Sequence, residues 1–153
     1  MTTKTLSVSA IQNGTVVDHI TTDQTLRIMR MLRLLDNKYM VTVGFNLPSK
    51  RMKMKDLLKI ENHELTPEEA NQITVFAPEA TINIIKNYEV VKKLTTTLPE
   101  SIGSIFICPN SNCITHSEPV PSFFYINENG KVMKLVCKYC EKSFDRNQVK
   151  VKQ

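Results

Sequence analysis

Cys108-Pro-Asn-Ser-Asn-Cys113 and Cys137-Lys-Tyr-Cys140 hold all four cysteines of the 153-residue chain, as two close pairs with twenty-three residues between them. This spacing predicts one tetrahedral zinc. Each pair can sit on a tight turn that aims two thiolates at the same ion, and the intervening residues supply the strands that bring the turns together. Four thiolates close the coordination sphere, whereas a catalytic zinc keeps a position open for water or substrate, so the site reads as a structural staple. Two disulfides are the competing reading. Against them, the N-terminus has no charged region followed by an apolar run and cleavage site, which points to the cytoplasm, where thiols stay reduced. His116, three residues after Cys113, is a further candidate ligand; with four cysteines present it reads as a surface histidine or one beside the metal.

Composition narrows the function. With 41% apolar residues the chain can bury a core, as one domain or two small ones. No apolar run approaches the ~18 residues that would span a bilayer. The formal charge is +5; four thiolates (−4) and one zinc ion (+2) would bring it to about +3. That is a weak argument for nucleic acid.

Taken in order, Leu6 to Ile11 alternates as a strand, Asn13-Gly14 is a hairpin-turn dipeptide, and Thr15 to Ile20 is the return strand. Asp23 is placed to cap an amphipathic helix of about three turns running to Leu35, with Arg27, Arg30 and Arg33 outward. Tyr39 to Leu47 reads as a strand stopped by a turn at Pro48, and Lys55 to Ile60 as the next strand. Thr66-Pro-Glu-Glu69 carries a capping box with proline at the first helical position, so a helix should run to about Phe76. Ala80 to Ile85 and Tyr88 to Val91 are β-branched runs split by Lys86-Asn87.

With the outermost strands set aside, the order is strand, helix, strand, strand, helix, strand. That is the split βαβ pattern, an α+β ferredoxin-like domain over residues 1–98. Thr95 to Pro99 lacks periodicity and reads as a linker, followed by a small all-β four-cysteine zinc domain over 99–153. At about fifty residues such a module depends on its metal for much of its folding free energy.

Enzyme chemistry finds few candidates. There is no glycine-rich phosphate loop and no Gly-x-Ser-x-Gly, and Asp18 and His19 make an adjacent acid and imidazole pair at a strand end. The residues by themselves point to binding, with a zinc-ribbon nucleic-acid-binding protein as the alternative, which would bind with strong salt dependence.

Six blocks carry a more specific signal: Gly14-Thr-Val-Val-Asp-His-Ile20, Lys55-Asp-Leu-Leu-Lys-Ile-Glu-Asn62, Phe76-Ala-Pro-Glu-Ala-Thr-Ile-Asn83, Asn87-Tyr-Glu-Val-Val91, Cys108-Pro-Asn-Ser-Asn-Cys113 and Cys137-Lys-Tyr-Cys-Glu-Lys142. Together and in this order they closely resemble the regulatory chain of aspartate carbamoyltransferase. The resemblance implies a non-catalytic subunit that binds CTP, UTP and ATP and tunes the catalytic chain of pyrimidine biosynthesis. It also implies a regulatory dimer and a holoenzyme of two catalytic trimers and three regulatory dimers, with no nucleic acid or membrane partner. The family's nucleotide pocket falls on Ile11, Asp18, His19, Lys59, Asn83, Tyr88, Val90 and Lys93, whose cations suit phosphates and whose polar groups suit ribose and base. Ser9 replaces an acidic residue and Ile84 a basic one, both expected near that pocket. The resemblance places the catalytic-chain interface at Asn110, Asn112, Tyr139, Glu141 and Lys142, in or just after the metal turns. The bland alternative is that the asparagines complete the turn around the thiolates.

Overall fold

The computed structural model describes residues 10–130 and 132–152. Seven elements make the N-terminal part: β1 (Gly14–Ile20), α1 (Thr25–Met31), β2 (Val41–Ser49), β3 (Lys53–Glu61), α2 (Pro67–Phe76), β4 (Thr81–Lys86) and β5 (Glu89–Leu94). The strands form one antiparallel sheet in the order β2-β3-β1-β4-β5. The first four strands have the ferredoxin-like order, and β5 extends the sheet as the second arm of a hairpin. Strand alternation puts Val17, Leu58, Ile60 and Ile82 on one face, where they join Ile28 of α1 and Ile73, Val75 and Phe76 of α2 in the core.

Leu6 to Ser9 of the expected first strand lie outside the described residues, and Ala10 and Ile11 are not in a strand. Gly14 is the opening residue of β1. Its φ is +139°, and a Cβ there would stand 2.0 Å from the Ile60 carbonyl oxygen, so only glycine permits this approach of β1 to β3. α2 keeps the bounds read from the sequence. Thr66 Oγ1 accepts from the Glu69 N–H at 3.1 Å and Glu69 Oε1 from the Thr66 N–H at 3.0 Å, closing the capping box.

Four expectations are corrected. Asp23 does not cap α1: it has a φ of 73°, Gln24 occupies the cap position, and no side chain caps the helix. Helix α1 has seven residues and ends at Met31, with Arg33 left-handed at φ 55°, so that Leu34 turns back into the core while Leu35 stays exposed. Nor do all three arginines face water, since Arg27 is half-buried against the C-terminal part. Pro48 does not stop β2 either. It pairs opposite Met54 within the strand, which an edge strand allows because a missing N–H there interrupts no second ladder.

Two strand irregularities flank buried Asp56. On β1, Val17 faces Leu58 but Ile20 faces Asp56, and on β2, Gly44 faces Leu57 but Leu47 faces Lys55, so each strand carries an extra residue. Asp56 Oδ1 accepts from the Asn46 N–H in the β2 bulge at 2.9 Å, and Oδ2 accepts from the Thr25 hydroxyl at 2.6 Å.

Residues 95–99 have no regular structure. Beyond them lie β6 (Ser101–Gly103), β7 (Phe106–Ile107), one 3-10 turn (Ile114–His116), β8 (Phe123–Asn129), β9 (Val132–Cys137), β10 (Ser143–Phe144) and β11 (Lys150–Val151). They make a β10-β9-β8-β6 sheet and a β7-β11 pair. The core is continuous with the N-terminal part: Phe76 meets Phe106 edge to face at 5.6 Å, and Phe106 meets Phe124 at 6.0 Å. Across the same junction Arg27 donates to the Arg146 carbonyl at 3.2 Å, to Asn147 Oδ1 at 2.8 Å and to the Asn147 carbonyl at 3.0 Å, while Gln24 Nε2 donates to Asn147 Oδ1 at 2.9 Å.

Candidate metal centre and effector face

Two turns bring the cysteines together. In the first, the Cys113 N–H donates to the Asn110 carbonyl at 3.0 Å and the Asn112 N–H to Asn110 Oδ1 at 3.1 Å. In the second, the Glu141 N–H donates to the Cys137 carbonyl at 2.9 Å and the Cys137 N–H to the Lys142 carbonyl at 3.0 Å, with Glu141 left-handed at φ 64°. All four sulfurs lie within 4.8 Å of one another. Cys108 to Cys140 and Cys113 to Cys137 are each 3.7 Å apart. A disulfide needs about 2.05 Å. Tetrahedral zinc with bonds of about 2.3 Å sets sulfurs about 3.8 Å apart. The donor set therefore fits a four-thiolate metal and not two disulfides.

The surroundings sort the thiols. Burial pushes the Cys108 and Cys137 thiols up. Burial opposes ionisation of Cys113 too, but hydrogen bonds from Thr115, Cys137 and Cys108 together outweigh it and bring this thiol to about 7. The Thr115 hydroxyl lies 3.2 Å from Cys113 Sγ. Cys140 is lowered although burial opposes it, through the Lys142 N–H and the Asn110 side chain. A bound cation favours every thiolate over its thiol. His116 is outside the sulfur cluster, its Nε2 2.8 Å from the Cys108 carbonyl oxygen.

The sheet face away from the helices gathers most of the expected nucleotide residues. Val16 faces Lys59 on one side and Asn83 on the other, and Asn83 faces Lys93, so Lys59, Val16, Asn83 and Lys93 form one row across four strands. Asp18 is on the same face, opposite Thr81. Val90 joins it through an irregularity in β5: Ile84 faces Lys92 but Ile85 faces Val90, so Val90 and Lys93, which regular alternation would set on opposite faces, share one. Tyr88, left-handed and 64% exposed, donates its N–H to the Gln12 carbonyl at 2.9 Å, which brings the β4-β5 turn beside buried Ile11. Ile84 is corrected. It is 3% exposed and faces Thr15 on the helix-covered side, away from Asn83. Ser9 lies outside the described residues.

Asp18 organises the charge. Its Oδ1 is 2.9 Å from Lys55 Nζ and accepts from the His19 N–H at 2.6 Å. Lys55 is a participant that sequence reasoning passed over, although its parity with Lys59 on one strand was a usable signal. His19 is left-handed at φ 56° at the β1 bulge, and its Nδ1 is buried without a hydrogen-bond partner among the described residues. Burial pulls the His19 pKa below 6.5, Asp18 opposes this, and Lys55 and Arg51 reinforce it. Burial also lowers the Lys59 pKa, with Asp18 opposing. The face thus offers cations and donors for phosphates beside one carboxylate for hydroxyls.

Asn110 is half-buried, and the other expected interface residues, Asn112, Tyr139, Glu141 and Lys142, are exposed at the metal turns. The Asn110 bonds match the turn-completing reading.

Comparison with known proteins covers both parts of the chain. Residues 6–97 match the family model of the aspartate carbamoyltransferase regulatory chain, allosteric domain, and residues 100–150 that of its metal binding domain. Proteins named aspartate carbamoyltransferase regulatory chain are similar over nearly their whole length. The Chromobacterium violaceum protein is 50% identical over 94% of both chains. That of Baumannia cicadellinicola is 52% identical over 94% of this chain and 92% of its own. The Yersinia pseudotuberculosis protein is 51% identical over 92% and 91%. These matches do not favour the zinc-ribbon nucleic-acid reading. With its two parts matched in order by both family models, the chain belongs to the family of non-catalytic regulatory chains of aspartate carbamoyltransferase.

Proposed function

We propose that this chain is the allosteric subunit of a cytoplasmic aspartate carbamoyltransferase, reading nucleotide levels on one part and transmitting them through the other. The observation that carries the effector role is the cross-strand row of Lys59, Val16, Asn83 and Lys93 beside Asp18. Lys93 and His19 meet the phosphates of CTP, UTP or ATP, Asp18 and Lys59 meet ribose hydroxyls or base oxygens, and backbone groups near Ile11, Tyr88 and Val90 meet the base edge. Cys108, Cys113, Cys137 and Cys140 hold one Zn2+, which fixes the two turns and does no chemistry. Residues 1–98 then bind effectors, and 99–153 dock on the catalytic chain through Asn110, Asn112, Tyr139, Glu141 and Lys142. The chain pairs with a second copy, and three such dimers join two catalytic trimers.

A nucleotide shifts the catalytic chains only by its differential affinity for two quaternary states, typically about 1–3 kcal/mol of coupling. Co-expression with the catalytic chain, followed by aspartate saturation curves with and without each nucleotide, tests the reading. A complex whose curve shifts with CTP or ATP is expected. Failure to form a complex, or curves indifferent to every nucleotide, would refute it.

A further inference from the structure

Lys50, Arg51, Lys53 and Lys55 put cations on most of the positions that join β2 to β3, and of these only Lys55 has a role on the effector face described above. The Ser49 hydroxyl closes the turn by accepting from the Met52 N–H at 3.2 Å. Sheet order decides where this turn stands. β3 and β4 flank β1, Asp56 near the start of β3 faces Ile20, and Thr81 at the start of β4 faces Asp18. The β2-β3 turn and the loop before β4 therefore lie on either side of the point where β1 ends. Arg51 bridges them: its Nη2 donates to the carbonyl of Glu79, just before β4, at 2.9 Å. Burial is the largest influence on the His19 pKa, yet both ends of the bridge reach the imidazole too, Arg51 lowering that pKa and Glu79 raising it. His19 Nδ1 is buried and makes no hydrogen bond among the described residues. An orphaned buried nitrogen is costly to keep and marks a place where a ligand can complete the bonding.

The bridge does not by itself require an arginine. Its one bond goes to a neutral carbonyl, which a glutamine could also make, and no carboxylate lies within ion-pair distance of Arg51 among the described residues. The unspent edge of the guanidinium is a planar donor fork, the shape that grips two oxygens of one phosphate. Position says which phosphate. Lys93 faces Asn83 in the cross-strand row with Val16, Asp18 is two positions further along β1, and His19 and Arg51 lie at the strand end beyond it. A phosphate chain that meets Lys93 first and runs along β1 reaches His19, and then Arg51, with its last group. We infer that Arg51 is a specificity residue of the effector site: it holds the terminal phosphate of a nucleoside triphosphate, so the site favours triphosphates over the corresponding monophosphates. The tie to Glu79 places the guanidinium before the ligand arrives, which lowers the ordering cost of binding. This inference rests on the effector role proposed above for the sheet face.

The test uses the holoenzyme, titrated calorimetrically with CTP and with CMP. Arg51→Gln keeps a donor for the Glu79 carbonyl and removes the charge. It should weaken CTP at least about tenfold and CMP less than about twofold, as expected for one charge-assisted contact to a phosphate that CMP lacks. Retained CMP binding shows that the variant site is folded, and zinc content and assembly should not change. Lys50→Gln removes a charge from the same turn and should leave both affinities within about twofold. Equal losses of CTP and CMP in Arg51→Gln overturn the inference, since they assign Arg51 to the fold of the site or to a phosphate that both ligands carry. A loss of CTP affinity in Lys50→Gln equal to that in Arg51→Gln also overturns it, by reducing the effect to the general field of the turn. If Arg51→Gln binds CTP at full strength while the unmodified holoenzyme responds to CTP, only this inference fails; if the unmodified holoenzyme binds neither CTP nor ATP, the effector role of the sheet face fails as well.

Discussion

Replacing Arg27 with Met keeps the aliphatic stem and removes the guanidinium that joins α1 to the loop at Arg146 and Asn147. The Arg27 guanidinium donates three hydrogen bonds across that junction, two of them to backbone carbonyls, and the Asn147 pair is exposed to solvent. A buried hydrogen bond to a charged group contributes about 1.5–3 kcal/mol, whereas exposed ones contribute a fraction of that, so the group should be worth about 1–2 kcal/mol. For a urea slope of about 2 kcal/mol/M, the midpoint should fall by about 0.5–1 M. Far-UV circular dichroism in zinc-replete buffer is the assay, since the chain has no tryptophan. Arg27→Lys should not restore the midpoint, because one ammonium cannot span both carbonyls in the planar fork geometry. Arg30→Met is the control: Arg30 is exposed on the same helix and should change stability by less than about 0.5 kcal/mol. An unchanged midpoint in Arg27→Met, or an equal loss in Arg30→Met, would refute the clamp. Nucleotide affinity should not move, because Arg27 is on a helix and the effector row on the opposite sheet face.

Lys93→Ala should lower CTP affinity by roughly ten- to a hundredfold, the worth of one charge-assisted phosphate contact, with zinc content and assembly intact; calorimetric titration checks both arms. Cys113→Ser, or chelation, should unfold the C-terminal sheet and abolish assembly, seen as lost sedimentation of the complex. Because ordinary thiols are mostly protonated near neutral pH and must ionise to bind a metal, zinc binding should release protons and weaken as pH falls, measurable as a buffer-dependent heat. His19 has a folded pKa below its unfolded value near 6.5, so its contribution to stability is complete above 6.5 and is lost as pH falls through the folded pKa. A phosphate at His19 would raise that pKa, so CTP should bind with proton uptake in this range, read from the imidazole NMR titration with and without ligand.

What the sequence made legible follows from how local each signal is. The α2 bounds come from a capping box contained within four residues, and the metal site from two turns that each need only a few residues to aim two sulfurs. α1 was misread because its start is set by distant partners: Thr25 is held by Asp56, thirty-one positions on, and Gln24 by Asn147, across the junction. The Arg27 contacts span about one hundred and twenty positions, and no periodicity reports them. Bulges were invisible for a related reason. The irregularity that sets Val90 and Lys93 on one face is a property of strand pairing, whereas simple alternation would have parted them. For Ile84, the family resemblance alone suggested closeness to the ligand, although neighbours in a strand point to opposite faces and Asn83 is on the other one.

The ring stack of Phe76, Phe106 and Phe124 makes the joint between the two halves a strut, where a bare linker would have made it a hinge. Phe76 closes α2, and its carbonyl takes the Arg146 guanidinium at 3.5 Å, so the helix end and the C-terminal sheet are fastened on both sides of the aromatic contact. Packed interiors compress little and pass strain on. A sub-ångström tilt of α2, produced as the effector face closes on a nucleotide, would therefore reach the far sheet as rotation of a stiff lever.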